Sequence, residues 1–245
     1  MSECGAAAKR PQAAGRAAVR KKKRERSSVR RATRKHPEVL VVCESSGVVR
    51  NAFRRAGFDA WSCDLLPADD GSEYHIQGDM FRAIRRHRRR LKMLVCHPPC
   101  TYLCSSGLHW NARDPTRGAK TEAALAVVKR LLESPVPRIA LENPVGCIST
   151  RIRRASQYIQ PHDFGHDASK RTGLWLKGLP NLVATERVAP RVVDGKKRWA
   201  NQTDSGQNRL GPSEDRWKAR SRTYEGIADA MVKQWGPVIR ASSSP

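Results

Sequence analysis

The stretch VLVVCESSGVVRNAFRRAGFDAWSCD, residues 39–64, decides the fold. Val39-Leu40-Val41-Val42-Cys43 is short, continuous and rich in β-branched residues, the pattern of a strand buried on both faces. Glu44-Ser45-Ser46-Gly47 supplies a turn. Val48, Val49, Ala52, Phe53 and Ala56 then recur at helical spacing, and Gly57 ends the helix. Phe58 to Cys63 reads as a second strand, with Asp64 at its end. Strand, turn, helix and strand in this order open a doubly wound α/β domain.

Outward from this stretch the alternation continues. A basic segment near 84–90 reads as helical, and Met93-Leu94-Val95-Cys96 as a third apolar strand. Residues 121–133 carry a helical stripe at Ala124, Val127, Val128 and Leu131. Arg138-Ile139-Ala140-Leu141 and Leu174-Trp175-Leu176 read as further strands. Ile227, Ala228, Met231, Val232 and Trp235 mark an amphipathic helix near the C-terminus. Residues 181–215, rich in Arg, Asn, Gln and Gly, read as a short irregular insert. The expected organisation is a disordered basic arm over 1–36, one α/β domain over 37–237 and a tail over 238–245. Trp61, Trp110, Trp175 and Trp217 are expected in or near the core.

The net charge is +24 over 245 residues. The arm holds 13 Lys+Arg against Glu3 and Glu25 and so carries +11, leaving +13 for the remainder. The domain is basic in its own right, which points to a polyanion such as nucleic acid. The bland reading is charge that serves solubility. Seven cysteines, an odd number, do not suggest a secreted disulfide framework. No apolar run is long enough to span a membrane, and the N-terminus has no secretory signal pattern. Its Arg-rich, nearly acid-free composition is shared with mitochondrial transit peptides, although the blocky KKKRER run argues against an amphipathic helix.

In open α/β sheets, ligands bind beyond the carboxyl ends of the strands. Glu44-Ser45-Ser46-Gly47, Asp64, His97-Pro98-Pro99-Cys100 and Glu142-Asn143-Pro144 all fall at such ends. Asp64 is placed to accept the hydroxyls of a ribose, and Asp79 to accept from an adenine amine. Each alone also reads as a surface or helix-capping Asp. Together they point to a nucleoside-bearing cofactor. Cys100 alone also reads as an inert thiol, and Glu142 alone as a surface carboxylate.

The pair Pro99-Cys100 and Glu142-Asn143-Pro144 resembles the paired motifs of the cytosine carbon-5 DNA methyltransferases, particularly their short phage and prophage members. The likeness spans roughly 38–236. CDLL at 63–66, GDM at 78–80, the segment from Phe164 to Leu176 and Thr223-Tyr224-Glu225-Gly226-Ile227-Ala228 fall where that family has further motifs. The resemblance implies a Rossmann-like sheet that binds S-adenosyl-L-methionine (AdoMet), with Glu44, Ser46, Gly47, Asp64, Asp79, Pro98 and Thr223 at the cofactor. It implies Cys100, Glu142, Pro99, Asn143, Lys170 and Arg171 at the reacting base. Double-stranded DNA with a flipped cytosine would be the substrate, in the cytoplasm of a bacterial or phage-infected cell. No metal and no membrane partner is implied.

The chemistry explains these residue types. A thiolate adding to carbon 6 turns cytosine into an enamine whose carbon 5 can take a methyl group. A free thiol, with a pKa near ~8.5, needs an electropositive setting, here Lys170 and Arg171. Glu142 would hold the flipped base and share a proton at ring nitrogen 3, which calls for a raised pKa. The chain departs from the family in having one glycine, Gly47, in the first turn, Thr101 after the cysteine, and a short 181–215 segment.

Three other readings fit parts of the pattern. Exocyclic-amine methyltransferases also carry a Pro-Pro tetrapeptide after a strand, but His97 first and Cys100 last do not suit clamping an amine. Cys96, Cys100, Cys104, His97, His162 and His166 include metal-ligand types, at a wider spacing than zinc sites commonly show. A noncatalytic DNA-binding protein on a degenerate methyltransferase fold would also account for the charge.

Overall fold

A computed structural model describes residues 36–241. Apart from His36, the arm expected over 1–36 lies outside the described residues. The elements are β1 (Val39–Val42), α1 (Val48–Arg55), β2 (Ala60–Asp64), β3 (His75–Gln77), α2 (Met80–His87) and β4 (Met93–Cys96). Then come α3 (Ser105–Leu108), α4 (Pro115–Leu132), β5 (Ile139–Pro144), α5 (Ile148–Arg151), β6 (Gln157–Ile159) and β7 (Thr172–Lys177). The chain ends with β8 (Arg191–Val193), β9 (Lys196–Arg198), α6 (Arg216–Ser221) and α7 (Glu225–Ala241).

One sheet runs in the order β3-β2-β1-β4-β5-β7-β6. β1 to β5 pair in parallel, and β7 runs antiparallel to both β5 and β6. The sheet is buried on both faces because its strands are apolar on both. Val39, Val41, Met93, Val95 and Ala140 face one cluster, shared with Phe53 of α1 and Met231, Trp235 and Ile239 of α7. Leu40, Val42, Leu94, Ile139 and Leu141 face the other, shared with Ile84 of α2 and Leu125, Val128 and Leu131 of α4. Helices on both faces of a mostly parallel sheet give the Rossmann-like α/β architecture expected from residues 39–64.

Several elements differ from their expected bounds. α2 lies earlier than 84–90, because Asp79 caps it with a carboxylate that accepts the Arg82 N–H at 2.7 Å. α4 starts before 121, at Pro115, with Asp114 as its cap. α7 continues beyond 237 because Ile239 is fully buried and Arg240 donates to the Ala56 carbonyl at 2.7 Å. Within 181–215 a hairpin, β8–β9, turns at Asp194-Gly195, both with positive φ, 48° and 71°. Trp175 is buried as expected, but Trp110 and Trp217 are 47% and 57% exposed. They sit in short helices that bury none of their residues.

Candidate active site

β1 leads to β2 on one side of the sheet and β4 leads to β5 on the other, so the crevice between the β1 and β4 loops is the topological switch point. On the β1 side, Cys43 (φ 59°) and Gly47 (φ 69°) turn the chain back into α1. Glu44 is buried, and its carboxylate accepts the N–H groups of Val49 (2.7 Å) and Arg50 (3.3 Å). It therefore caps α1 and already spends both oxygens inside the protein. Burial pushes its pKa up, against the opposing pull of His97, the two amides and Arg50. Ser46 Oγ accepts weakly from the Val48 N–H at 3.5 Å.

Beneath Gly47 lies Arg50, fully buried. Its guanidinium donates to Ser62 Oγ at 2.8 Å and to Asn51 Oδ1 at 3.1 Å, and it pairs with Asp70. A Cβ at position 47 would run into that guanidinium, so glycine is required by space as well as by φ. At the end of β2, Asp64 Oδ1 accepts the Leu66 N–H at 3.0 Å. Leu65 and Leu66 beside it are exposed. Asp79, the α2 cap, lies at the end of β3 and is exposed.

The β4 and β5 ends are tied directly to each other. Asn143 is buried and donates from Nδ2 to the Pro98 carbonyl at 2.7 Å, fixing the Pro98-Pro99-Cys100 loop. Residues following each strand then pair. The Ser105 N–H donates to Val145 O at 3.0 Å, and the Cys147 N–H donates to Leu103 O at 2.9 Å. Gly146 makes this approach possible, since a Cβ there would strike the Leu103 carbonyl. His97 Nδ1 and Glu142 Oε2 are 2.7 Å apart, with the two side chains only 9% and 13% exposed. Two buried polar atoms here have no partner, His97 Nε2 and Asn143 Oδ1.

The electrostatics correct two expectations. Glu142 is held below the usual carboxylate range rather than above it. Burial pushes it up, but the His97 hydrogen bond and the charge of Lys170 outweigh burial. The Cys100 thiol is pushed up rather than down. Its hydrogen bond to Cys104 is the largest cause, followed by burial, and the charge of Lys170 only partly offsets these. Arg171 does not join Lys170. It is exposed and lies over the Tyr158 ring at 4.5 Å, just before β7 begins. Lys170 Nζ donates to the Arg220 carbonyl at 2.9 Å. Glu142, Lys170 and Thr223 share a shallow pocket whose apolar walls include Ile159, Pro161, Tyr224 and Ile227.

Three residues matter to this arrangement in ways the sequence motifs do not show. His97 stands in the quoted tetrapeptide but was not expected to hold Glu142. Cys104 and Gly146 carry no motif; their roles follow from the pairing between the two loops. Among the described residues no group of His, Cys, Asp or Glu side chains is gathered to hold a metal ion. Among them no helix is long and apolar enough to cross a membrane.

No family model and no curated protein matches the chain. Among solved structures it is similar to an E. coli prophage-encoded protein whose description assigns it provisionally to DNA modification methyltransferases. The two are 13% identical with a TM-score of 0.40, over 64% of this chain and 56% of that one. The chain thus matches little more than half the length of that structure.

Proposed function

We propose that the chain is an AdoMet-dependent DNA methyltransferase acting at carbon 5 of cytosine, with Cys100 as nucleophile. The observation that carries this reading is the junction of the β4 and β5 ends. A thiol loop and a buried carboxylate, 42 positions apart in sequence, are tied there by the Asn143–Pro98 hydrogen bond. They sit in an α/β sheet whose order, with one reversed strand, suits a Rossmann-like methyltransferase.

The residues present fit the nucleoside half of AdoMet. Among the described residues Asp64 accepts at Oδ1 and leaves its second oxygen to a ligand, and the exposed Leu65 and Leu66 offer apolar cover to a base. Asp79 stands at the neighbouring strand end, and Ser46, Gly47, Pro98 and Thr223 complete the proposed cofactor set. When bound, AdoMet would supply an electrophilic methyl group. The other tasks belong to the chain. Cys100 adds to carbon 6 of a flipped cytosine. Glu142 meets the base as a carboxylate and accepts from its 4-amino group. A seated base would displace the remaining water, adding to the upward push of burial and so favouring a proton shared with ring nitrogen 3. Pro99 and Asn143 hold the sulfur in place, and Lys170 supplies positive charge.

One observation favours a second reading, a noncatalytic DNA-binding protein: in the free chain the Cys100 thiol is shifted away from the thiolate the reaction needs. Nucleoside mass spectrometry of duplex DNA incubated with protein and AdoMet separates the two. We expect 5-methylcytosine from the unmutated protein and, for Cys100→Ser, a loss of at least about 1000-fold. AdoMet binding with no modified base, across varied DNA, would favour the second reading. N4-methylcytosine or N6-methyladenine surviving Cys100→Ser would favour an amine enzyme.

A further inference from the structure

The Cys100 thiol must lose a proton before it can attack, yet Glu142 beside it carries a negative charge that opposes the thiolate. The structure offers another acceptor. Residues 100–104 form one hydrogen-bonded turn in which the Cys104 N–H donates to the Cys100 carbonyl at 3.0 Å and the Leu103 N–H to the same oxygen at 2.9 Å. This turn brings the two cysteines close enough that each thiol shifts the other's titration. Cys104 is anchored from the opposite side by its bridge to Gly146.

Cys104 is also surrounded by donors. Its sulfur lies 3.2 Å from Ser106 Oγ, and the Gly107 amide faces it. These contacts, with the Cys100 hydrogen bond as the largest, draw its pKa down. The remaining neighbours divide. Lys170 favours a thiolate at Cys100, and Glu142 opposes it. Cys147, at the start of α5, faces Cys104 and is itself flanked by Arg151 and Glu122. Arg117 of α4 reaches across the same turn to the carbonyls of Thr101 (2.8 Å) and Gly107 (3.3 Å).

We infer that Cys100 and Cys104 form one thiol–thiolate pair, in which Cys104 takes the proton that Cys100 must give up to attack the cytosine ring. This rests on the reading of Cys100 as nucleophile. In the step, the Cys100 S–H bond breaks and the proton passes to the Cys104 sulfur. A bond forms from Cys100 Sγ to carbon 6, and the electron pair of the carbon 5–carbon 6 double bond moves toward carbon 5. The negative charge leaves the pair for the base, and nothing is oxidised or reduced.

The test is iodoacetamide labelling of the full chain at a series of pH values, with Cys100 and Cys104 followed separately by peptide mass spectrometry. A pair sharing one proton is already charged at neutral pH, so Cys100 labelling should be nearly flat between about pH 6 and pH 8. In Cys104→Ala it should instead rise about tenfold per pH unit, as for an isolated thiol with a pKa near or above ~8.5. Cys104→Ser, which keeps a hydrogen-bonding group that does not ionise, should behave as the Ala variant and serves if that variant misfolds. A tenfold-per-unit rise in the unmutated protein, or a flat profile that survives loss of Cys104, overturns the inference. Labelling needs no methyl transfer, so a flat profile in a protein that makes no 5-methylcytosine would sink the methyltransferase reading and leave the pair standing.

Discussion

The two sides of the switch-point crevice are built on opposite principles. On the β1–β2 side the buried charged groups are consumed by the protein itself. Glu44 gives both oxygens to the first turn of α1, and Arg50 divides its donors among Asn51, Ser62 and Asp70. On the β4–β5 side the loops are tied just as closely, yet His97 Nε2 and Asn143 Oδ1 are buried without partners. Unpaired buried polar atoms cost stability, and these two stand at the ends of β4 and β5, where the proposed substrate would bind. One side serves the scaffold, and the other is where we propose that the substrate binds.

Three substitutions sharpen or break that contrast. Arg50→Met should have the largest effect, a loss of about 3 kcal/mol in urea unfolding, because it strips Ser62 and Asp70 of their donor under Gly47. If the stability of this variant equals that of the unmutated chain, the β1–β2 side is not the scaffold described. Asn143→Ala should cost about 2 kcal/mol, since it leaves the Pro98 carbonyl buried and unpaired. Methyl transfer should fall further than the lost stability explains, because the thiol loop loosens. An active, merely destabilised variant would show that the tie does not position the sulfur. His97→Gln should cost less, about 1 kcal/mol at neutral pH, because the buried bond to Glu142 is weakened, and should lower kcat/KM by about tenfold.

The pH dependence of that last variant has a definite sign. The His97 hydrogen bond lowers the Glu142 pKa, so removing it lets burial push the carboxyl up. If the base is met by a carboxylate, activity should fail at a higher pH in His97→Gln than in the unmutated chain as solutions are made acidic. Stability follows the same linkage. A carboxyl depressed in the folded state contributes fully above its unfolded pKa of about 4.3, and that contribution is lost as the pH falls through the lower folded value. An acid limb that does not move would show that His97 does not tune Glu142.

Much of the scaffold is legible in residues 39–64 and in the later apolar runs, because parallel strands buried on both faces must be continuously apolar. β3 and β6 are not legible. Each has only three residues, His75–Gln77 and Gln157–Ile159, and each lies at an edge of the sheet where no apolar run is demanded. The β8–β9 hairpin did leave a signal, Asp194-Gly195, masked by flanking strands as polar as Lys196–Arg198. At the site, the types and order of Cys100, Glu142 and Asn143 can be read from the motifs. Their electrostatics cannot, since they depend on contacts distant in sequence, such as His97 with Glu142, or on a turn that carries no motif, as for Cys104. Arg171 shows the limit of motif reading, since one step along the chain from Lys170 it lies exposed over the Tyr158 ring.

The central claim is that the Cys100 sulfur bonds to carbon 6 of cytosine. It is tested most directly with mixed-sequence duplex DNA carrying 5-fluorocytosine, whose fluorine cannot leave as a proton would and so stalls the adduct. With AdoMet present, the account predicts a protein–DNA complex that survives denaturing electrophoresis, maps by peptide mass spectrometry to Cys100 and is absent for Cys100→Ser. Cytosine methylation by the same preparation with no such complex, or a complex mapping to another cysteine, would contradict it.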